Sequence, residues 1–273
     1  MTDLIDTPSR MELATFSWPE ARTVARMPGS LPMGGVVPGT PIHAFSATPA
    51  ALRFQTTTRL SPCRKDIAIG GQLAFLIKDV VTHGEADAIV AASEVFGYLP
   101  EAPGITTPPG MRMNKAVHWM ADDAMLGPIF QRIAHLLPKE IDGALLHHRF
   151  SHRINMYRYD DQDVFNRHID GDWPGFGLNE SRDEMIQWSP LLHSCLSMLL
   201  YLNGPEEGVQ GGQTILLGHR GERVDVTPKK GAALFFRHGF TADSVSHIGA
   251  RVNGRVPKYL ARINVMYDQS APG

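Results

Sequence analysis

Cysteine is nearly absent from this chain: Cys63 and Cys195 are the two among 273 residues. Two cysteines build neither a disulfide framework nor a cysteine-rich zinc site, and they fit a reducing compartment. An excess of one charge is missing too. Lys and Arg number 26 against 28 Asp and Glu, a formal net charge of −2, which leaves no electrostatic footprint for nucleic acid or an anionic membrane. No stretch approaches the roughly 20 apolar residues of a membrane span. The start, Met-Thr-Asp-Leu-Ile-Asp, lacks the basic and apolar regions of a secretory signal, and Asp3, Asp6 and Glu12 do not suit a mitochondrial leader. The expectation is a soluble, cytoplasmic protein with no nucleic-acid and no membrane partner. Internal repeats and low-complexity tracts are also lacking.

What is present is globular composition, 43% hydrophobic and 20% charged, in a chain long enough to bury a full core. Residues 1–66 read as an irregular or partly disordered N-terminal segment. Pro28, Pro32, Pro38 and Pro41 alternate there with Gly29, Gly34, Gly35 and Gly39, a density that works against long helices and central strands. Residues 67–273 read as a single domain. Leu73–Val81 has the length and β-branching of a strand. Thr82 and Glu85 then form a capping-box signature for a helix carrying Ala86, Ile89, Val90 and Phe96, which Gly97 and Pro100 stop. A Pro/Gly-rich loop is expected over 103–110. A second helix is expected to open at Pro128, with Ile129, Phe130, Ile133, Leu136 and Leu137 on one stripe and Pro138 ending it.

After His152 the hydrophobic period changes from 3.6 to 2. Alternation runs through 153–159, 195–202, 223–227 and 258–267, with Gly and Pro turns between. Such strands make an antiparallel sandwich or barrel. One face of most of them is apolar and the other polar. An ordinary sandwich sends the polar face to water, whereas a ligand-holding barrel turns it inward.

The candidate chemistry begins at His168 and Asp170. In a strand, residues i and i+2 share a face, so this pair can grip one ion from one short segment. Alone it is weak evidence, since 12 histidines and 28 acidic residues make a chance His-x-Asp unremarkable. A second histidine downstream, His247, completes two histidines and one carboxylate, the ligand set that leaves coordination positions open in non-haem Fe(II) sites.

Several motifs in one order sharpen this. They are Tyr159 to Asp170, Leu200-Tyr201-Leu202-Asn203, Gly211-Gly212-Gln213-Thr214, Val226 to Gly231, Ala233-Leu234-Phe235-Phe236, His247 with Lys258-Tyr259, and Val265-Met266-Tyr267. Together they resemble the prolyl 4-hydroxylase-like branch of the 2-oxoglutarate/Fe(II) dioxygenases, over roughly residues 150–268. The resemblance implies an α+β, mainly β fold: a double-stranded β-helix (jelly roll) with supporting N-terminal helices. It implies catalytic metal ligands at His168, Asp170 and His247. It implies 2-oxoglutarate held by Lys258 and Tyr201, with Tyr159 opening the motif. His238 is the other candidate for the distal ligand, but Gly249, Val252 and Lys258 follow His247 in the family's manner. Lys258 lies eleven residues past His247, one more than the resemblance leads one to expect, with the extra residue placed in the Gly254–Pro257 turn. Arg262 shares its strand face and is the alternative base.

The activity implied is hydroxylation of an unactivated C–H of a peptidyl substrate, prolyl included, or of a small molecule. The reaction consumes O2 and 2-oxoglutarate at Fe(II), with ascorbate as an accompanying ligand. A metal-dependent hydrolase on the same ligands would leave Tyr201 and Lys258 without a task, and a silent binding protein would have no need of the triad. Residues 171–194, with Trp173, Phe176 and Trp188, are expected to form a lid. His148, His152 and Trp119 are read as structural.

Overall fold

The alternating strands pack as two facing sheets, and the remaining chain is built around them. The computed structural model describes residues 16–30, 36–57, 59–100 and 110–269. Ahead of the barrel come β1 (Ala21–Ser30), β2 (Val36–Phe45), β3 (Cys63–Asp66) and β4 (Ala74–Lys78), then α1 (His83–Phe96), β5 (Lys115–Met120) and α2 (Asp123–Ile133). There follow β6 (Glu140–Ile141), β7 (Ala144–Tyr159), β8 (Phe165–His168), β9 (Phe176–Leu178), β10 (Met185–Gln187) and β11 (Leu192–Tyr201). The chain closes with β12 (Gln210–Gly211), β13 (Thr214–Leu217), β14 (Arg223–Val226), β15 (Ala233–Arg237), β16 (Ser246–Gly249), β17 (Val252–Asn253) and β18 (Lys258–Asp268).

Four central strands of the large sheet lie in the order β7-β18-β11-β15, and the small sheet in the order β14-β13-β16-β8. Along the chain these eight strands alternate between the sheets except at the β13–β14 hairpin, which is the double-stranded β-helix, or jelly roll. The polar face turns inward: Asn155, Ser197, Lys258, Arg262 and Asn264 are all buried. The opposite, apolar face of the large sheet packs Ile154, Met156, Leu200 and Ile263 in one cluster with Ile89 of α1 and Ile129 and Ile133 of α2. Phe75 of β4 and Phe235 of β15 stack at 4.9 Å within it.

Helix α1 starts where its sequence says. The Thr82 hydroxyl accepts from the Glu85 amide at 3.1 Å, and the Glu85 carboxylate accepts from the Thr82 amide at 2.8 Å. The same carboxylate receives both terminal nitrogens of Arg132 of α2, at 2.7 and 2.9 Å, in a nearly dry bidentate pair. One capping residue thus also sets the packing of the second helix.

Three expectations need correction. The segment 1–66 is not irregular throughout: β1, β2 and β3 lie in it, while residues 1–15, 31–35 and 58 are outside the described part. Pro28, Pro38 and Pro41 are tolerated because β1 is an edge strand with register shifts at Thr23/Ala25 and Met27/Gly29, and because β2 pairs with β5 only over Ile42–Ala44, past Pro41. Helix α2 opens at Asp123, not at Pro128, because the Asp122 carboxylate accepts from the Ala124 amide at 3.1 Å as a true N-cap. Pro128 then sits inside the helix. It cannot donate to the Ala124 carbonyl, and the amide of Phe54 takes that acceptor at 3.1 Å.

The expected lid, 171–194, is largely a packed hairpin. Strands β9 and β10 pair antiparallel, and Phe176 is buried in a cluster with Val24, Ile42, Ala44 and Met120. Trp188 lies so close over Gly175 and Gly177 that a Cβ on either would fall 2.5 Å from its ring. The segment meets the candidate site only from behind, through Gly171, Trp173 and Ser194. The expected loop over 103–110 lies outside the described residues save Gly110. No helix among the described residues is long and apolar enough to cross a membrane.

Candidate active site

Strand β8 runs against β16, with His168 opposite His247 in the register. The pairing brings together residues 79 positions apart in sequence. His168 Nε2 stands 3.7 Å from Asp170 Oδ1, and His247 Nε2 stands 3.9 Å from Asp170 Oδ2. One donor atom from each residue lies within 4.8 Å of the others, and among the described residues this is the one such group of His, Cys, Asp or Glu. His168 Nδ1–H donates to the Asn166 carbonyl at 2.8 Å, which leaves its Nε2 lone pair facing the carboxylate. Phe165 stacks on the His168 ring at 3.5 Å and fixes its plane.

Charge at the site is that of a ligand set. Burial lowers the pKa of His168 to about 3, with His247 adding to the effect, so the imidazole is neutral. Burial likewise lowers that of His247. Burial opposes ionisation of Asp170, but the Arg262 guanidinium outweighs it and holds the carboxyl well below the usual range. Two neutral imidazoles and one carboxylate, buried with lone pairs converging, fit a divalent metal that takes N and O donors at about 2.0–2.2 Å.

Behind Asp170 lies a hydrogen-bonded chain of one polarity. Ser197 donates to Asp170 Oδ2 at 2.6 Å, so its oxygen accepts from His238 Nδ1–H at 2.8 Å. His238 Nε2 must then accept, and Ser194 donates to it at 2.9 Å. The Ser194 oxygen accepts in turn from the Trp173 amide, also at 2.9 Å. His238 is therefore placed behind the carboxylate, and burial lowers its pKa to about 4. Arg262 Nε stands 3.0 Å from Asp170 Oδ2, and its other arm donates to the Gly171 carbonyl at 3.0 Å.

Lys258 differs from Arg262 in having no carboxylate. It is fully buried, donates from Nζ to the Gly212 carbonyl at 2.6 Å, and makes no ion pair among the described residues. Burial alone lowers its pKa to about 7. The ammonium lies 5.0 Å from the Tyr159 ring and 5.8 Å from the Tyr201 ring. Gly212 has φ +69°, and a Cβ there would lie 2.9 Å from Lys258 Cδ, so the glycine both turns the chain and lets the lysine pass.

His168, Asp170, His247, Lys258, Arg262 and Tyr159 line one pocket of about 320 Å³ including its open mouth. Tyr159 is brought there against Gly249, where a Cβ would lie 2.9 Å from its hydroxyl. Tyr201 does not line the pocket directly. Its hydroxyl donates to Thr214 Oγ1 at 2.8 Å, and Thr214 is on the wall instead. Sequence reasoning missed Thr214, Phe165 and Ser197. Thr214 closes a quoted motif, and Ser197, a polar residue four before Tyr201 on the same strand face, carried a signal of its own.

The fold and the site together define a class: a jelly roll whose inner face carries a two-histidine, one-carboxylate cluster beside a buried lysine. No family model matches the chain, and no curated protein matches it. Among solved structures it is similar to a viral collagen prolyl hydroxylase from Paramecium bursaria Chlorella virus-1, in its 2-oxoglutarate complex. The two are 19% identical over 73% of this chain and 99% of that one, with a TM-score of 0.47. A Pseudomonas putida prolyl-4-hydroxylase is 16% identical over 71% and 93%, TM-score 0.48. A Trichoplax adhaerens prolyl hydroxylase, in complex with a hypoxia inducible factor peptide fragment, is 15% identical over 73% and 87%, TM-score 0.49. Likeness at this level carries no inference, and the chemistry is read from the residues of this chain.

Proposed function

We propose that this protein is an Fe(II)- and 2-oxoglutarate-dependent oxygenase that hydroxylates an unactivated C–H bond of a small-molecule or peptide substrate. The observation that carries the reading is Lys258. A buried ammonium without a counter-charge is costly, and it is retained within one pocket of an intact ligand triad. A ligand that supplies a carboxylate to Lys258 and further oxygen donors toward the triad resolves both features at once. 2-Oxoglutarate has that shape, with a carboxylate at each end and a keto oxygen beside one of them.

When bound, Fe(II) and 2-oxoglutarate supply the redox chemistry: one oxygen atom of O2 enters succinate as CO2 leaves, and the other enters the substrate as hydroxyl. The chain supplies the rest. His168, Asp170 and His247 would hold the metal. Ser197 and Arg262 occupy Asp170 Oδ2, which leaves Oδ1 as the freer donor. Lys258 orients the far carboxylate by a charge-assisted bond, with Thr214 and the Tyr159 hydroxyl as neutral neighbours on the same wall. Phe165 and Leu199 supply apolar wall to the same pocket. Ascorbate, as a reductant that restores Fe(II), belongs to the same proposal.

Anaerobic addition of Fe(II) and 2-oxoglutarate should give a metal-to-ligand charge-transfer band, and air should then release succinate. A protein that binds Fe(II) but neither binds nor consumes 2-oxoglutarate would end this reading and favour a metal hydrolase.

A further inference from the structure

Beyond Arg262, on the same inner face, the large sheet holds a second polar group. His118 of β5 pairs in register with Asn155 of β7, and Asn155 with Arg262 of β18. The His118 Nδ1 and Asn155 Oδ1 atoms are 2.6 Å apart, so this nitrogen carries the proton and donates. A terminal nitrogen of Arg153 lies 3.4 Å from that same Nδ1, which as a donor cannot accept from it. His118, Arg153, Asn155 and Asn264 are all more than nine-tenths buried. Their polar atoms are not all used. His118 Nε2, Arg153 Nε, Asn264 Oδ1, and Nε with one terminal nitrogen of Arg112 have no hydrogen-bond partner among the described residues.

The imbalance is one of charge. Arg262 has Asp170, but Arg112 and Arg153 make no ion pair among the described residues. Both are held by aromatic rings instead. Arg153 lies 5.0 Å over Trp173, whose indole nitrogen flanks Gly171, the residue after the ligand Asp170. Arg112 lies 4.9 Å over Phe165, the ring stacked on the ligand His168. Arg112 is therefore one aromatic ring away from the ligand His168, and Arg153 one ring away from the neighbour of the ligand Asp170. Arg153, Arg112 and Arg262 all depress the protonation of His118, after burial, which places three cations around one neutral imidazole.

An arginine kept dry beside the chemistry, with donors unused, is a cost to the fold that an anion would remove. We infer that Arg153 and Arg112 form a substrate subsite for an oxyanion, a carboxylate or a phosphate, which anchors the molecule to be hydroxylated next to the metal. The planar fork of arginine matches either group, and the aromatic rings beneath fix the forks in place. The inference rests on the oxygenase reading and narrows it: the substrate is an anionic small molecule or a peptide presenting a free carboxylate or phosphate, not a neutral internal residue.

The test is calorimetric titration, without oxygen, of protein saturated with Fe(II) and 2-oxoglutarate, so that Lys258 is already occupied. The probes are N-acetyl-L-proline, its neutral amide, phenyl phosphate, and a pentapeptide with either a free or an amidated C-terminus. The acids should bind about tenfold or more tighter than the amides, and Arg153→Met and Arg112→Met should each erase that preference. Preference for phenyl phosphate, for acetylproline or for the free peptide identifies the source of the oxyanion. Arg153→Met should also leave the thermal midpoint of the ligand-free protein unchanged or raised, because an uncompensated charge is lost. Equal affinity for acids and amides, no binding by any acid, or an acid preference that survives in both arginine variants would overturn the subsite. So would a loss of more than ten degrees in Arg153→Met that Arg153→Lys restores without anion binding. The same titration of Lys258→Met without 2-oxoglutarate separates the two readings, since an arginine-dependent acid preference should persist there even if 2-oxoglutarate never binds.

Discussion

The Ser197 hydroxyl lies 2.6 Å from Asp170 Oδ2, the same oxygen that stands 3.9 Å from His247 Nε2. The carboxylate is held from behind by a serine that is itself held by His238. Groups of this kind orient metal ligands and tune their affinity.

Ser197→Ala should therefore weaken Fe(II) binding by about 10–100-fold while leaving the fold intact, as read by chelator competition. His238→Ala should have a smaller effect and preserve the charge-transfer band of the 2-oxoglutarate complex. His247→Ala should abolish that band. The reverse pattern would make His238 the ligand.

His168→Ala and Asp170→Ala should each eliminate iron-dependent succinate formation with an unchanged circular dichroism spectrum. Turnover at the ordinary rate by either purified variant would remove the triad assignment.

Lys258→Ala should weaken 2-oxoglutarate binding by about one to three orders of magnitude, since it strands a carboxylate in a dry site. Arg262→Ala should act mainly on the metal, through Asp170. Loss of 2-oxoglutarate affinity in Arg262→Ala alone, with normal iron affinity, would transfer the role.

The same lysine gives a pH dependence. With a pKa of about 7 in the free protein, Lys258 is charged below that value and neutral above it. A bound carboxylate keeps it charged, so binding takes up a proton above pH 7. Affinity should be flat below pH 7 and fall by up to about tenfold per pH unit above it. Titrations at pH 8 in two buffers of different ionisation enthalpy should reveal uptake approaching one proton, vanishing near pH 6. The effect on stability has the opposite sign. An unfolded lysine keeps its proton to about pH 10.4, so between about 7 and 10 the unfolded chain binds more protons and ligand-free stability gains with rising pH.

Arg132→Ala should destabilise the protein by about 3–5 kcal/mol in urea unfolding, because it leaves the Glu85 carboxylate buried and unpaired. Replacing both partners by apolar residues should cost clearly less. Equal losses in the single and double variants would show that packing, not charge, is what Arg132 contributes.

How much of this was legible in the sequence depends on how local the signal is. Thr82 and Glu85 are three residues apart, and their capping box is found where the residues foretell it. His168 and Asp170 likewise share a short segment, and the downstream order of His247 and Lys258 carried enough of the barrel to place them. The start of α2 was misread because Pro128 suits the first turn of a helix. The acceptor it frees is taken by Phe54, which no local pattern reveals. The serine–histidine support of Asp170 and the arginines beside His118 depend on cross-strand register, to which a single chain read in order gives little access. In the N-terminal segment, proline and glycine suggested disorder where they mark an edge.

That edge has a consequence for how the molecule behaves among its own copies. The large sheet ends at β1 on one margin and β3 on the other. Along β1 the pairing is interrupted twice, and Arg22 and Arg26 project from it, Arg22 bound to Glu20 and Arg26 to the Gly39 carbonyl. Strand β3 is four residues long and mostly exposed, with Arg64, Lys65 and Asp66 in succession. A broad sheet of this kind is otherwise a template for strand addition by a neighbouring chain. Here both margins are irregular or short and carry charge, so molecules meeting edge to edge find no continuous row of free amides on which to polymerise.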